Sequence, residues 1–87
     1  MISKEVTIQK SEGLHARPAT FFIQKANEYK SLITIEHGDS SANAKSLLGV
    51  LALGIDKGMT FKITANGTDE ETAVNALVQL VTSNFEE

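Results

Sequence analysis

Seven consecutive residues, Gly13-Leu14-His15-Ala16-Arg17-Pro18-Ala19, hold the only proline, the only arginine and one of the two histidines of an 87-residue chain. A neutral imidazole titrates near pH 6.5 and is a competent nucleophile, so His15 has the chemistry to take up a phosphoryl group. Apolar positions from Pro18 onward, Ala19, Phe22, Ile23 and Ala26, recur at helical spacing. They predict a helix opening near residues 16–18, where proline is tolerated because the first-turn N–H groups have no partner within the helix. A helix opening favours an anion, phosphate above all, through its unpaired N–H groups and partial positive charge. Ala16 and Arg17 then form a phosphate-binding helix start, and Arg17 adds a charged fork. Spacing alone also admits a plainer reading, in which His15 caps or packs against the helix and Arg17 is a solvated charge.

The elements that must position this segment are legible from periodicity. Val6 and Ile8 alternate with Glu5, Thr7 and Gln9, a half-buried first strand ended by Gly13. Ile33 and Ile35 alternate with Thr34 and Glu36, and His37-Gly38-Asp39 supplies a turn into a short returning strand at 40–43. The stretch 46–53 is apolar nearly all round and reads as a short helix weakened by Gly49, with Gly54 at its end. Phe61, Ile63 and Ala65 alternate in a fourth strand, Asn66-Gly67 turns, and Asp69 is expected to cap a last helix bearing Ala73, Val74, Leu77, Val78 and Val81 on one side. The order βαββαβα predicts an α+β fold: one domain over 1–87, a four-stranded antiparallel sheet with three helices on one face.

Composition removes several function classes. A chain of this length buries only about 60–65 % of its unfolded surface, which leaves one core and little room for a deep catalytic cleft. With 41 % hydrophobic and 22 % charged residues it has the make-up of a soluble globular domain. Eight Lys plus Arg against eleven Asp plus Glu give a net charge of -3, which argues against a direct nucleic-acid surface and against anionic membrane. The absence of cysteine excludes disulfides and thiolate metal sites and suits a cytosolic protein. Polar residues reached early in 1–10 leave no signal-peptide core, and no apolar run spans a bilayer.

The whole chain resembles HPr, the histidine-containing phosphocarrier family of the phosphoenolpyruvate-dependent sugar phosphotransferase system. Gly-Leu-His-Ala-Arg-Pro-Ala-Thr at 13–20 is similar to the family's phosphorylation loop and helix start. Asn-Ala-Lys-Ser-Leu-Leu-Gly-Val at 43–50 is similar to its second signature. The resemblance implies an open-faced β-sandwich and a relay carrier rather than an enzyme. His15 would accept phosphate from Enzyme I and pass it to A-type domains of Enzyme II, with Arg17 neutralising charge. No cofactor and no metal are implied. Position 12 departs from the family, which commonly has Ser, Thr or Asn where Glu12 places a carboxylate.

Ser46 precedes the short apolar helix, where a serine often serves only as an N-cap. The resemblance implies that HPr kinase/phosphorylase phosphorylates it, the Gram-positive pattern being favoured by Ala16 and Gly49. Phospho-Ser46 would weaken Enzyme I docking and recruit a catabolite control transcription regulator. Thr20, Leu47, Leu48 and Leu51 are expected on the partner surface, with Val50 and Leu53 buried. The interfaces of a carrier should be small and transient and the chain a monomer. Two variants of the family compete: a nitrogen-branch member, which usually differs around position 46, and a regulatory paralogue, which lacks the histidine.

The remaining candidates read as structural. His37 is a solvated turn residue without metal-ligand spacing to another His or Cys. Asp69, Glu70 and Glu71 form a capping and dipole set. Phe21, Phe22, Phe61 and Phe85 belong to the core, and Tyr29 closes the end of the first helix.

Overall fold

A computed structural model of the chain describes residues 1–9, 13–14 and 16–85, except the side chain of Ala16. The elements follow in the order β1 (Ile2–Thr7), α1 (Ala16–Ala26), β2 (Leu32–His37), β3 (Ser40–Asn43), α2 (Leu47–Ala52), β4 (Thr60–Asn66) and α3 (Glu70–Thr82). All pairings are antiparallel and the sheet order is β1-β4-β2-β3. β4 is therefore inserted between β1 and β2, which run parallel to each other and are connected through α1. The fold is the expected four-stranded antiparallel sheet with three helices.

Strand alternation sends Val6, Ile33, Ile35, Phe61, Ile63 and Ala65 into one buried layer beneath the helices. Phe22 of α1 meets Phe61 of β4 edge to face at 6.1 Å between ring centroids and 69° between planes. Each such buried phenyl stabilises the fold by roughly 2–3 kcal/mol. α3 adds Ala73, Val74, Leu77, Leu80 and Val81 to the same core. Apart from Leu32, which is 65 % exposed, the other sheet face is polar and largely self-bonded. Ser3 Oγ and Thr64 Oγ1 lie 2.8 Å apart, Thr7 Oγ1 and Thr60 Oγ1 2.7 Å, and Lys62 pairs with Glu36 at 3.5 Å.

Local chemistry sets the boundaries. Gly38, with φ of +61°, opens the two-residue turn joining His37 to Ser40. β1 lies earlier than its periodicity implies: it pairs from Ile2 to Thr7, and Ile8 is fully buried just beyond the strand. His37 is the last residue of β2 rather than part of a solvated turn, with Nδ1 3.2 Å from the Thr60 carbonyl oxygen. Phe21 is 40 % exposed instead of core, whereas Phe22, Phe61 and Phe85 are buried. Tyr29, beyond α1, packs half-buried against the core.

The Asp69 cap is also corrected. Asp69 occupies the N-cap position of α3, but its side chain makes no capping hydrogen bond. Its carboxylate instead accepts the Lys30 N–H at 2.8 Å, the Ser31 N–H at 3.0 Å and the Ser31 hydroxyl at 2.5 Å, tying the α1–β2 connection to the start of α3. Glu70 faces backwards, taking the Gly67 N–H at 3.0 Å and the Met1 amine at 2.8 Å. Gly67 has no room for a Cβ, which would lie 2.6 Å from Ser31 Oγ.

Hydrogen bonding from the Ser31 hydroxyl, then from the Lys30 amide, holds the Asp69 carboxyl below its ordinary value of 3.8. Glu70 is lowered likewise by the Met1 amine and the Gly67 amide. A depressed folded-state pKa contributes stability that is present above the unfolded value and lost as pH falls through the folded one. Thermal melts from pH 7 to pH 3 should therefore show stability falling below about pH 4. Asp69→Asn should melt lower at pH 7 and lose less between pH 4 and pH 3, with Glu70 supplying the acid dependence that remains.

Candidate functional site: an anion-binding helix start

The chain on both sides of position 15 is anchored. Gly13 is buried with φ of +63°, and a Cβ there would lie 2.5 Å from Ile55 O and 2.7 Å from Asp56 Cα, so only glycine lets the two backbones approach this closely. The Leu14 N–H donates to Ile55 O at 2.8 Å, and the Leu14 side chain is wholly buried. On the other side Pro18 and Ala19 are buried in the first turn of α1. Between these anchors α1 opens at Ala16, as expected. Its first-turn amides at Ala16 and Arg17 have no acceptor within the helix, and Pro18 has no N–H. Arg17 is exposed and has no acidic partner among the described residues. An exposed guanidinium beside unpaired amides suits a dianionic phosphoryl group. His15, the expected phosphate acceptor, and Glu12 lie outside the described residues.

The loop between α2 and β4 supports this segment. The Ile8 N–H donates to Met59 O at 3.0 Å and the Gly58 N–H to Ile8 O at 2.9 Å, so the end of β1 and the loop beneath Gly13 are bonded to each other.

Ser46 is the N-cap of α2, its Oγ accepting the Gly49 N–H at 3.2 Å. Asn27, not singled out from the sequence, and Lys45, quoted there only as part of the 43–50 motif, hold it in place. Asn27 Nδ2 donates to Ile23 O at 2.8 Å and to Lys45 O at 3.3 Å, and Lys45 Nζ donates to Tyr29 O at 2.7 Å. Asn27 directly after α1 and Lys45 directly before Ser46 were the visible signals; their pairing across 18 positions was not. Ser46 thus sits beside the C-terminal end of α1, at the opposite end of that helix from Ala16 and Arg17.

Leu48 is 81 % and Leu47 38 % exposed, as the partner-surface expectation requires, but Leu51 is half-buried against the core. Val50 is buried, while Leu53 is only half-buried. Thr20 is half-buried on α1. Phe21, assigned to the core from sequence, is exposed on α1, which packs against α2. The spacing Ala19, Phe22, Ala26 already turns Phe21 off the buried stripe. Among the described residues no cluster of His, Asp and Glu could hold a metal, and no helix is long and apolar enough to cross a membrane.

The open-faced sandwich and its anchored helix start define a small α+β domain built to present one anion-binding edge. Comparison with known proteins makes the class specific. The family described as the PTS HPr component phosphorylation site matches residues 2–83, and the chain belongs to the HPr family. It is 43 % identical over 83 residues to the phosphocarrier protein HPr of Borreliella burgdorferi, covering 95 % of this chain and 96 % of that protein. It is 40 % identical over 81 residues to the HPr-like protein Crh of Halalkalibacterium halodurans, covering 93 % and 96 %. The crystal structure of HPr from Thermoanaerobacter tengcongensis superposes with a TM-score of 0.97 at 43 % identity, covering 100 % of this chain and 99 % of that one. Members of the family are phosphocarriers of the sugar phosphotransferase system, not enzymes. A second T. tengcongensis HPr structure, with a TM-score of 0.80 at 46 % identity over 97 % of this chain and 99 % of that one, is a dimer, so relatives take assembled forms besides the monomer expected from sequence.

Gly13→Ala should test the anchoring directly. A left-handed φ and a 2.5 Å overlap with backbone oppose the added methyl. The substitution should cost at least about 2 kcal/mol. For a domain of this size that lowers the melting temperature by roughly 8 °C or more, measurable by calorimetry.

Proposed function

We propose that this protein is a cytoplasmic phosphocarrier in which His15 accepts a phosphoryl group from phosphorylated Enzyme I and passes it to A-type domains of Enzyme II. The observation that carries the reading is the helix opening that follows His15 directly. There the exposed Arg17 and the amides of Ala16 and Arg17 are held between the buried Gly13-Leu14 and Pro18-Ala19. A phosphohistidine at that point would rest its charge on groups that need no rearrangement to receive it. Arg17 then balances charge as the phosphoryl group arrives and leaves, and the partners complete each reaction site.

Ser46 is the regulatory position in this reading. Phosphorylation by HPr kinase/phosphorylase would add about -1.5 to -2 charge at an N-cap, where the fold tolerates it. The charge stands beside the exposed Leu47 and Leu48, and it would disfavour Enzyme I while admitting a catabolite control transcription regulator. The docking surface comprises Thr20, Leu47 and Leu48, extended by Phe21, with Leu51 contributing only its outer edge. Similarity to Crh of H. halodurans favours a second reading, a regulatory protein addressed mainly through Ser46. His15 speaks for the carrier, because regulatory paralogues lack the histidine.

Incubation with phosphoenolpyruvate and Enzyme I should label the wild type in acid-labile form and leave His15→Ala unlabelled. Label persisting in that variant would exclude His15 as the acceptor. Ser46→Asp should slow transfer from Enzyme I by roughly ten-fold or more, since a charge facing a docking surface costs on the order of 1–2 kcal/mol. An unaltered rate would remove the regulatory role and leave Ser46 a helix cap.

A further inference from the structure

The turn before β4 contains a hydrogen bond that phosphoryl transfer does not use. Residues 56–59 close on themselves, the Met59 N–H donating to Asp56 O at 3.1 Å. In return Met59 Sδ accepts the Asp56 N–H at 3.3 Å, a thioether serving where a backbone carbonyl is the usual acceptor. The Met59 carbonyl also takes the Ile8 N–H at 3.0 Å. One residue upstream, Ile55 O holds the Leu14 N–H at 2.8 Å, and Asp56 Cα lies where a Gly13 side chain would have to go. Met59 therefore braces Asp56, and Asp56 backs Gly13. Its side chain is half-buried against the core. The chain has no cysteine and no tryptophan and only two methionines, of which Met1 is 77 % exposed. Two-electron oxidants consequently meet two principal targets, and only one of them braces a turn.

We propose that Met59 is a modification site at which hydrogen peroxide converts the thioether to the sulfoxide, loosening the turn that backs Gly13 and Leu14. A sulfur lone pair attacks a peroxide oxygen, and the S–O bond forms as the O–O bond breaks. The transferred oxygen gives up its proton to the departing hydroxide, which leaves as water. Sulfur is oxidised by two electrons and the peroxide reduced by two. The product is polar and chiral where the parent was a pliable apolar chain, and methionine sulfoxide reductases reverse the change. The consequence for transfer rests on the carrier reading, because the loosened segment leads directly into His15.

The test uses the full chain, ¹⁵N-labelled, treated with hydrogen peroxide, with sulfoxide located by peptide mass spectrometry. Met59 should oxidise along with Met1, and the Asp56 and Leu14 amide resonances should shift and exchange faster with solvent. Label uptake from Enzyme I should fall roughly ten-fold, since displacing a reacting group by about 1 Å can cost on the order of a hundred-fold. Met59→Leu should keep its Leu14 amide unchanged under peroxide while Met1 is oxidised, and the reductase should restore the wild type. The proposal is overturned if Met59 stays reduced after Met1 is fully oxidised, or if oxidised Met59 leaves the Asp56 and Leu14 amides unmoved. A chain that takes no label before treatment overturns the carrier reading alone, because the amide resonances decide the role of Met59 independently.

Discussion

The close approach of Gly13 to the Ile55–Asp56 backbone, fastened by the Leu14 N–H on Ile55 O, is the contact on which the site depends. A phosphoryl acceptor must be exposed to two partners in turn, yet held still enough that neither has to organise it. Exposure and rigidity conflict in a chain of 87 residues, where little structure is thick enough to bury a support. The conflict is resolved by burying the neighbours of position 15 in sequence. Gly13 and Leu14 lock onto the loop that leaves α2, and Pro18 and Ala19 enter the core under α1. That loop is in turn bonded to Ile8 at the end of β1 and leads into β4, at the centre of the sheet. Three elements distant in sequence thus converge beneath one helix opening.

The same helix separates the two positions of chemical interest. Eleven residues of α1 lie between the Ala16 end and the Asn27 side chain that reaches Lys45 O. At about 1.5 Å per residue this is roughly 16 Å, about twice the Debye length of some 8 Å at physiological ionic strength. A phosphate on Ser46 would be largely screened from the helix opening, and through-space repulsion of a phosphoryl group there would be weak. In the proposed reading its effect would pass through a partner broad enough to cover both ends, seated on the exposed Phe21, Leu47 and Leu48. Regulation by Ser46 then requires a shared docking surface rather than a conformational change, consistent with a cap geometry that does not touch Gly13 or Leu14.

Most of the fold was legible because the signals were local. Alternation at Ile33/Ile35 and Phe61/Ile63/Ala65 located two strands, the Ala19–Phe22–Ala26 stripe located α1, and the motif at 13–20 supplied the candidate site. The errors share one physical cause, which is that the deciding partner lies far away in sequence. Asp69 looks like a cap until the α1–β2 connection supplies Lys30 and Ser31 as better donors 38 or 39 residues away. Leu51 and Leu53 sit in an all-apolar helix whose buried face sequence cannot choose; packing against α1 and β3 chooses Val50. His37 reads as turn residue until β4 places the Thr60 carbonyl within reach. Phe21 differs, because its exposure followed from the helical period and was obscured only by its neighbour Phe22.

In the proposed reading, the polar sheet face would leave the helical side as the better place for a partner to dock. Its hydroxyls are paired with one another, Ser3 with Thr64 and Thr7 with Thr60, and Lys62 stands opposite Glu5 and Glu36 on the adjoining strands. A partner docking there would break paired groups and regain only equivalent bonds, for little net free energy. On the helical side Phe21, Leu47 and Leu48 give up only water when covered. Three partly exposed apolar side chains are nonetheless far less than an obligate interface buries, and in the carrier reading this limit would be functional. A carrier bound tightly at one station cannot reach the next, so the surface that attracts each partner must be kept too small to retain it.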